Sequence, residues 1–280
     1  MRSGYWQQVL AGGLRVPGDR PLDDLTAELT SMLGSPDPDE RDATAYPALA
    51  TWVGRGVYDD LLAGLGDGMA AGLRVGIGGR DGDTVFRRSF SALVLAECID
   101  RDNAHRLLPG SRVLEWGDRL AGWFLREQDV RGFVPGKGWA HAVAHGADAL
   151  GVLARSPHLG TPELTVLLDV MADRLTAPAS GVLMAGEPDR MAAATMRVLR
   201  RNQVPITVLE PWVRRVTAVA LDTSGPGDPY RRTADAEAYL RALHLQVALS
   251  PDQPACRADL LLVLVEALRR TNADLLRAGV

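Results

Sequence analysis

The sequence predicts an all-α fold in which about a dozen helices stack in pairs as a curved solenoid or a partial α/α toroid. Apolar residues recur at three- and four-residue intervals through nearly every segment, whereas the alternation typical of strands is rare. Prolines and glycines fall between these apolar stripes, at places where helices begin and end. A globular bundle without regular stacking is the alternative architecture.

The stripes predict the individual helices in chain order. Four of them are Leu22, Leu25 and Leu29; Val85, Ser89, Leu93 and Ala96; Val113, Trp116, Leu120 and Trp123; and Leu164, Leu167, Leu168 and Met171. Thr161 followed by Pro162 and Glu163 is typical of a capped helix start. Helix pairs recur about every 45–50 residues, which is a HEAT-like rhythm. This rhythm predicts an inner layer of helices over 40–54, 84–101, 138–154, 187–201 and 232–249.

We expect a single helical domain over residues 1–280, because no break separates the stripes into independent sets. Residues 1–40 are a candidate N-terminal extension. Residues 222–232, which are rich in Gly, Pro and Asp, predict an internal loop, and too few helices follow it to form a second domain.

Composition excludes several classes of protein. The chain has 31 basic and 35 acidic residues, and this mild acidity argues against a nucleic-acid-binding protein. Two distant cysteines, Cys98 and Cys256, support neither a zinc ribbon nor a redox motif, and they suit a reducing compartment. The sequence shows no secretory signal and no apolar run long enough for a membrane span. We therefore expect a cytoplasmic protein without nucleic-acid or membrane partners.

One stretch concentrates polar chemistry on an otherwise apolar helix. His141, His145 and Asp148 are spaced so that about 40° separates the two histidines around a helix, and the aspartate lies about 20° to the other side of His141. Alanine, valine and glycine fill most positions between them. These three residues are the candidate catalytic group.

A metal site is one interpretation of this group. Two histidines four residues apart on a helix can bind one zinc ion. Asp148 lies too far along the helix axis to complete the site, so the third ligand would be Glu187 or Asp189, with Asp148 orienting His145. Apart from this divalent metal, the sequence specifies no cofactor.

A metal-free site is the second interpretation. Residues 135–138, Pro-Gly-Lys-Gly, would lead into the helix, whose N-terminus and Lys137 would attract an anion. His141, one turn inside the helix, would act as general acid or base, and Trp139 would form a flat wall for an organic ligand. The third interpretation is structural: the three side chains only cross-link neighbouring helices.

Arginines at the start of two predicted inner helices are further candidate ligand-binding residues. Arg87 and Arg88 could bind a carboxylate or a phosphate, and ion pairs with neighbouring acids are the alternative for both. Arg190 follows Glu187 and Asp189 at the start of the helix over 187–201, which stacking would bring towards His141.

The histidine stretch, Gly-Lys-Gly-Trp-Ala-His-Ala-Val-Ala-His-Gly-Ala-Asp over 136–148, resembles the bacterial domain-of-unknown-function family 2785. The motifs Arg-Ser-Phe-Ser-Ala-Leu over 88–93 and Gly-Glu-Pro-Asp-Arg over 186–190 resemble patterns of the same family. The resemblance extends from about residue 40 onward. It implies a helical-repeat protein, with no established activity or site residues to carry over.

Two functions remain open at this point. In the first, the chain is a small-molecule-binding protein or an enzyme with a polar pocket on its inner helical surface, and acid–base chemistry on an anionic substrate is the most concrete form. In the second, it is an interaction scaffold whose concave groove holds a peptide or protein partner. The sequence leaves the oligomeric state open.

Overall fold

The computed structural model describes residues 2–176, 181–224 and 228–277. Within these ranges the chain is all-α apart from one two-stranded antiparallel hairpin, which confirms the predicted all-α class. None of the helices in these ranges has the length and apolar composition needed to cross a membrane. The residues divide into two compact units, Met1–Ala149 and Leu150–Val280, and each is described by itself.

The first unit contains the hairpin and most of the short elements. Its elements are α1 (Arg2–Ala11), α2 (Leu22–Met32), α3 (Pro38–Glu40), a π-helical turn (Arg41–Ala45), α4 (Tyr46–Gly54), a 3-10 turn (Asp59–Leu61), α5 (Leu62–Gly72), α6 (Thr84–His105), α7 (Gly110–Arg126), β1 (Phe133–Val134), β2 (Gly138–Trp139) and α8 (Ala142–Ala154), which continues past the last residue of the unit.

Helix α6 forms the core of the first unit because it is buried on nearly all sides. Helices α4 and α5 pack against it. The described part of residues 1–40 belongs to the same core: Leu25 and Leu29 on α2 are fully buried, and the Trp52 indole donates to the backbone carbonyl of Leu14 at 2.9 Å. The candidate extension is therefore packed into the first unit.

The second unit contains α9 (Thr161–Thr176), α10 (Glu187–Leu199), α11 (Ile206–Leu221), α12 (Pro229–Leu249) and α13 (Arg257–Thr271). Helix α9 packs against α11 and α11 against α13, whereas α10 packs most extensively against α12. Buried polar contacts join these helices. The indole of Trp212 donates to the carbonyl of Leu168 at 2.8 Å, and the hydroxyls of Thr195 and Tyr239 are 2.6 Å apart.

Two predicted boundaries differ from the structure. The segment 138–154 begins as strand β2, and its helix starts only at Ala142. In the predicted loop 222–232, residues 225–227 lie outside the described residues, and α12 already begins at Pro229. The physical reason is local: Asp228 accepts a hydrogen bond from the Tyr230 N–H at 3.0 Å and so caps a helix whose first residue is proline.

Candidate functional site

The residues before α8 form a β-hairpin instead of a helix start. Phe133 pairs with Trp139 and Val134 with Gly138, and the Lys137 N–H donates to the Val134 carbonyl at 2.9 Å. Pro135 and Gly136 occupy the two central positions of this tight turn. Such a turn requires a positive φ at its third residue, and Gly136 has φ +74°. Residues 135–138 therefore form the turn of the hairpin, and the helix that they were expected to begin starts only at Ala142.

His141 stands at the entrance of α8, and the prediction that it lies one turn inside is wrong. Its N–H donates to the Arg131 carbonyl at 3.0 Å, and its own carbonyl accepts from the His145 N–H at 2.9 Å. The backbone of His141 has φ +47°, which is uncommon for a residue with a side chain. Such conformations persist only where the surrounding contacts impose them, and they cluster at functional sites.

The rings of Trp139, His141 and His145 lie together and form a partly exposed surface, which we call the His145 face. Trp139 stacks on His141 with ring centroids 4.2 Å apart, and the His141 and His145 rings meet nearly edge to face at 5.8 Å. Both histidines are half-buried, whereas 43% of Trp139 is exposed. Of the three rings, that of Trp139 is therefore the most accessible to a ligand.

Ser89, on α6, determines which ring nitrogen of His145 carries the proton. The Ser89 hydroxyl donates to the carbonyl of Ala140, and its oxygen lies 2.7 Å from Nδ1 of His145. A hydroxyl has one proton to donate, so Nδ1–H must be the donor in the second hydrogen bond. The neutral imidazole of His145 therefore carries its acceptor lone pair on Nε2.

Phe90 supports the His145 ring from the interior. It meets the imidazole edge to face at 5.2 Å, and it is itself 2% exposed. Ser89 and Phe90 are neighbours on the central helix, so a rigid element holds His145 through both a hydrogen bond and a ring contact. The sequence suggests Asp148 for the orienting role, whereas at Nδ1 that role belongs to Ser89; Asp148 is half-buried, further along α8.

A buried arginine anchors the hairpin. Arg41, in the π-helical turn, is fully buried and donates to the carbonyls of Lys137 and Ser35, both at 2.6 Å. Its guanidinium lies over the Phe86 ring at 4.0 Å from the centroid. Gly138 allows this close approach, because a Cβ there would lie 3.1 Å from a guanidinium nitrogen of Arg41. The hairpin is thereby tied to a segment that lies far from it in the sequence.

The cations near the hairpin are neutralised. Lys137 forms an ion pair with Asp83 at 2.6 Å, and Arg131 forms one with Asp129 at 2.6 Å. Arg41 pairs with Asp42 at 2.6 Å. An anionic ligand would have to compete with these carboxylates for each positive charge.

The two arginines near the start of α6, Arg87 and Arg88, have different environments in the structure. Arg88 is fully buried, and its Nη2 donates to Oε1 of Glu127 at 2.8 Å while its Nε donates to Oε2. Its remaining contacts include the carbonyls of Val75 and Gly76 at 2.9 and 3.0 Å. Arg88 therefore forms the ion pair expected under the alternative interpretation, and its guanidinium is not exposed to solvent. Arg87 is only half-buried and lines a groove of the first unit.

The other candidate metal and ligand residues lie in the second unit, in the first turn of α10. Glu187 is 1% exposed, and its Oε2 accepts from the Ala185 N–H at 2.8 Å. Asp189 and Arg190 are exposed. In the part of the chain that the structure describes, no three His, Cys, Asp or Glu side chains are grouped closely enough to hold a metal ion.

Comparison with known proteins places the chain in a family. The family model described as "Protein of unknown function (DUF2785)" matches residues 73–245. The chain belongs to this family. The match contains the histidine stretch and both flanking motifs, although it begins later than residue 40. No curated protein and no solved structure matches the chain, so its function has to be inferred from the site itself.

The sequence does not identify Ser89, Arg41 or Asp83 as site residues. For Ser89 a signal exists in the sequence, because it is a hydroxyl at a core position of the apolar stripe that begins with Val85. A buried hydroxyl in such a stripe needs a hydrogen-bond partner, and here the partner is His145.

Proposed function

We propose that the chain binds a small, flat, ring-containing molecule at the His145 face, and that Nε2 of His145 accepts a hydrogen bond or a proton from it. The observation that carries this proposal is the contact between Ser89 and Nδ1 of His145. It holds the neutral imidazole in the tautomer in which Nε2 is the basic atom. A general base needs its ring oriented in this way before substrate arrives.

The ring of the ligand would pack beside Trp139 and His141. Aromatic rings pair favourably at centroid separations of about 4.5–7 Å, and Trp139 supplies a large, partly exposed ring for such a pair. The hairpin that carries Trp139 is anchored by Arg41, so the ring is positioned before a ligand binds. Preorganisation of this kind lowers the entropic cost of binding.

The charges favour a neutral hydrogen-bond donor over an anion. Lys137 already pairs with Asp83, so an anionic group would gain little at this position unless it displaced that carboxylate. A phenol-like hydroxyl needs no such exchange, because its proton can be donated to Nε2 directly. This choice of ligand replaces the anionic substrate suggested by the sequence.

We also propose that the second unit is an α/α repeat and that the protein is cytoplasmic. The alternating packing of α9, α11 and α13 on one side and of α10 and α12 on the other supports the repeat. Cys98 and Cys256 are both free thiols, which is usual in a reducing compartment.

Calorimetric titration with matched probes tests the binding proposal. The probes are p-cresol, toluene, which has the same ring without a hydroxyl, and phenyl phosphate, which is anionic. We expect p-cresol to bind about tenfold more tightly than toluene, as one hydrogen bond allows. His145→Phe, which keeps a ring but removes the acceptor, should abolish this difference.

His105→Gln serves as the control, because His105 is an exposed histidine of the same unit. The His105→Gln variant should bind all three probes with the same affinities as the wild type. Equal binding of p-cresol and toluene to the wild type would contradict the proposal. A preference for phenyl phosphate would restore the anionic substrate and contradict the neutral ligand.

A further inference from the structure

A cavity lies in the first unit, and none of the three rings of the His145 face lines it. It is a groove of about 1060 Å³ lined by parts of α1 and α2, by the segment 34–44 and by Arg87. We call it the α2 groove. Trp6, Leu10 and Met32 contribute apolar surface to its lining. Its volume is that of a site for a small organic molecule.

Arg87 brings an uncompensated positive charge to this groove. Its guanidinium donates to the carbonyl of Thr30 in the last turn of α2, and no carboxylate of the described residues lies within 4 Å of it. Burial lowers the pKa of Arg87, and no neighbouring acid opposes that effect among the described groups. A half-buried guanidinium with donors to spare is suited to bind a carboxylate.

The rim of the groove carries the opposite charge. Asp24, Asp39 and Glu40 line it as exposed carboxylates, and none of them forms an ion pair with another described residue. Glu28, by contrast, is already paired with Arg20 at 2.8 Å. Because five carboxylates and two guanidinium groups line the groove, it repels a simple anion despite the presence of Arg87.

We propose that the α2 groove binds a small zwitterion, with the ligand carboxylate on Arg87 and the ligand ammonium group among the rim carboxylates Asp39 and Glu40. A ligand with only one of these charges leaves one set of protein charges uncompensated. A zwitterion satisfies both, and its carbon chain covers the apolar surface near Leu10 and Met32. This site is independent of the function proposed for the His145 face.

Calorimetric titration of the full chain with three probes of equal chain length tests the proposal. The probes are ε-aminocaproate, which is a zwitterion, caproate, which has only the carboxylate, and hexylamine, which has only the ammonium group. We expect ε-aminocaproate to bind about tenfold more tightly than either of the others. Arg87→Gln should reduce its affinity to that of hexylamine, and Asp39→Asn should weaken it severalfold.

Asp60→Asn is the matched control, because it removes an equal charge from an exposed position outside the groove. It should leave the affinity for ε-aminocaproate unchanged. If Arg87→Gln does not fold, Asp39→Asn decides, since its side chain is exposed and makes no contact that the fold needs. Equal binding of hexylamine and ε-aminocaproate, no binding of any probe, or a loss of affinity in Asp60→Asn equal to that in Asp39→Asn would overturn the proposal.

Discussion

The buried ion pair of the first unit offers a stability prediction whose size follows from its geometry. Glu127 accepts from Nη2 of Arg88 and from the N–H of Asp129 through Oε1, and from Nε of Arg88 and the indole of Trp123 through Oε2. Glu127→Gln keeps the shape, but it replaces one of these oxygens by a donor. Two donors then lose their acceptor, and the guanidinium of Arg88 stays buried without a countercharge.

The cost of breaking such a pair is about 4 kcal/mol, because both side chains are only 1% exposed and solvent cannot screen the remaining charge. That is a large share of the typical stability of a domain, about 5–15 kcal/mol. Urea unfolding followed by circular dichroism measures the change as a shift of the midpoint at constant slope.

Glu115→Gln is the control for this experiment. Glu115 pairs with Arg119 on the surface, where both side chains are more than 40% exposed, so its loss should cost less than about 1 kcal/mol. The double variant Arg88→Met/Glu127→Leu should lose less stability than Glu127→Gln, since no buried charge remains. A loss below about 1 kcal/mol in Glu127→Gln would refute the reasoning.

Three further predictions concern the same unit. Ser89→Ala leaves both partners of a buried hydroxyl unmatched and should lower the unfolding free energy by about 2 kcal/mol in urea titrations; an unchanged midpoint would contradict the hydrogen bonds at Ser89. Burial raises the pKa of Glu97, so the folded state binds a proton at this carboxyl more tightly than the unfolded state does. The resulting stabilisation is present at low pH and is lost as pH rises through the pKa of the folded state. Glu97→Gln should therefore lose less stability than the wild type between about pH 4 and pH 7 in thermal melts, and parallel curves would refute this. Gly66→Ala places a methyl group inside the ring of Trp116 and should cost about 1–3 kcal/mol, whereas Gly68→Ala, with open space around its Cβ, should not destabilise; equal midpoints for the two variants would contradict the packing.

Long helices were predictable from the sequence because their signal is local and repeated. The stripe from Val85 to Ala96 lies within α6, and the segment 187–201 corresponds closely to α10. Each turn of these helices adds another apolar residue to the same pattern, so one exception does not change the prediction.

The hairpin could not be predicted in this way. Each of its strands has two residues, which is too short for a periodic pattern. Its position also depends on the bond from Arg41 to the carbonyl of Lys137, and these residues are 96 positions apart. Pro135 and Gly136 are compatible both with the start of a helix and with a hairpin turn. Only the tertiary contact with Arg41 distinguishes these two structures.

The candidate site was predicted in part for the same reason. Four-residue spacing brings His141 and His145 together whether the first of them lies inside the helix or at its entrance. The partner of His145, however, comes from α6, and no local pattern links Ser89 to α8. Identifying Ser89 as the group that orients His145 therefore requires the tertiary arrangement of α6 and α8.

The central claim is that Nε2 of His145 is the acceptor at the His145 face, because Ser89 holds the proton on Nδ1. Long-range proton–nitrogen correlation spectra of the chain with labelled histidine measure this tautomer directly at a pH where the ring is neutral. We predict that His145 has a protonated Nδ1 and an unprotonated Nε2, and that Ser89→Ala weakens this preference. A spectrum in which Nε2 of His145 carries the proton in the wild type would contradict the account.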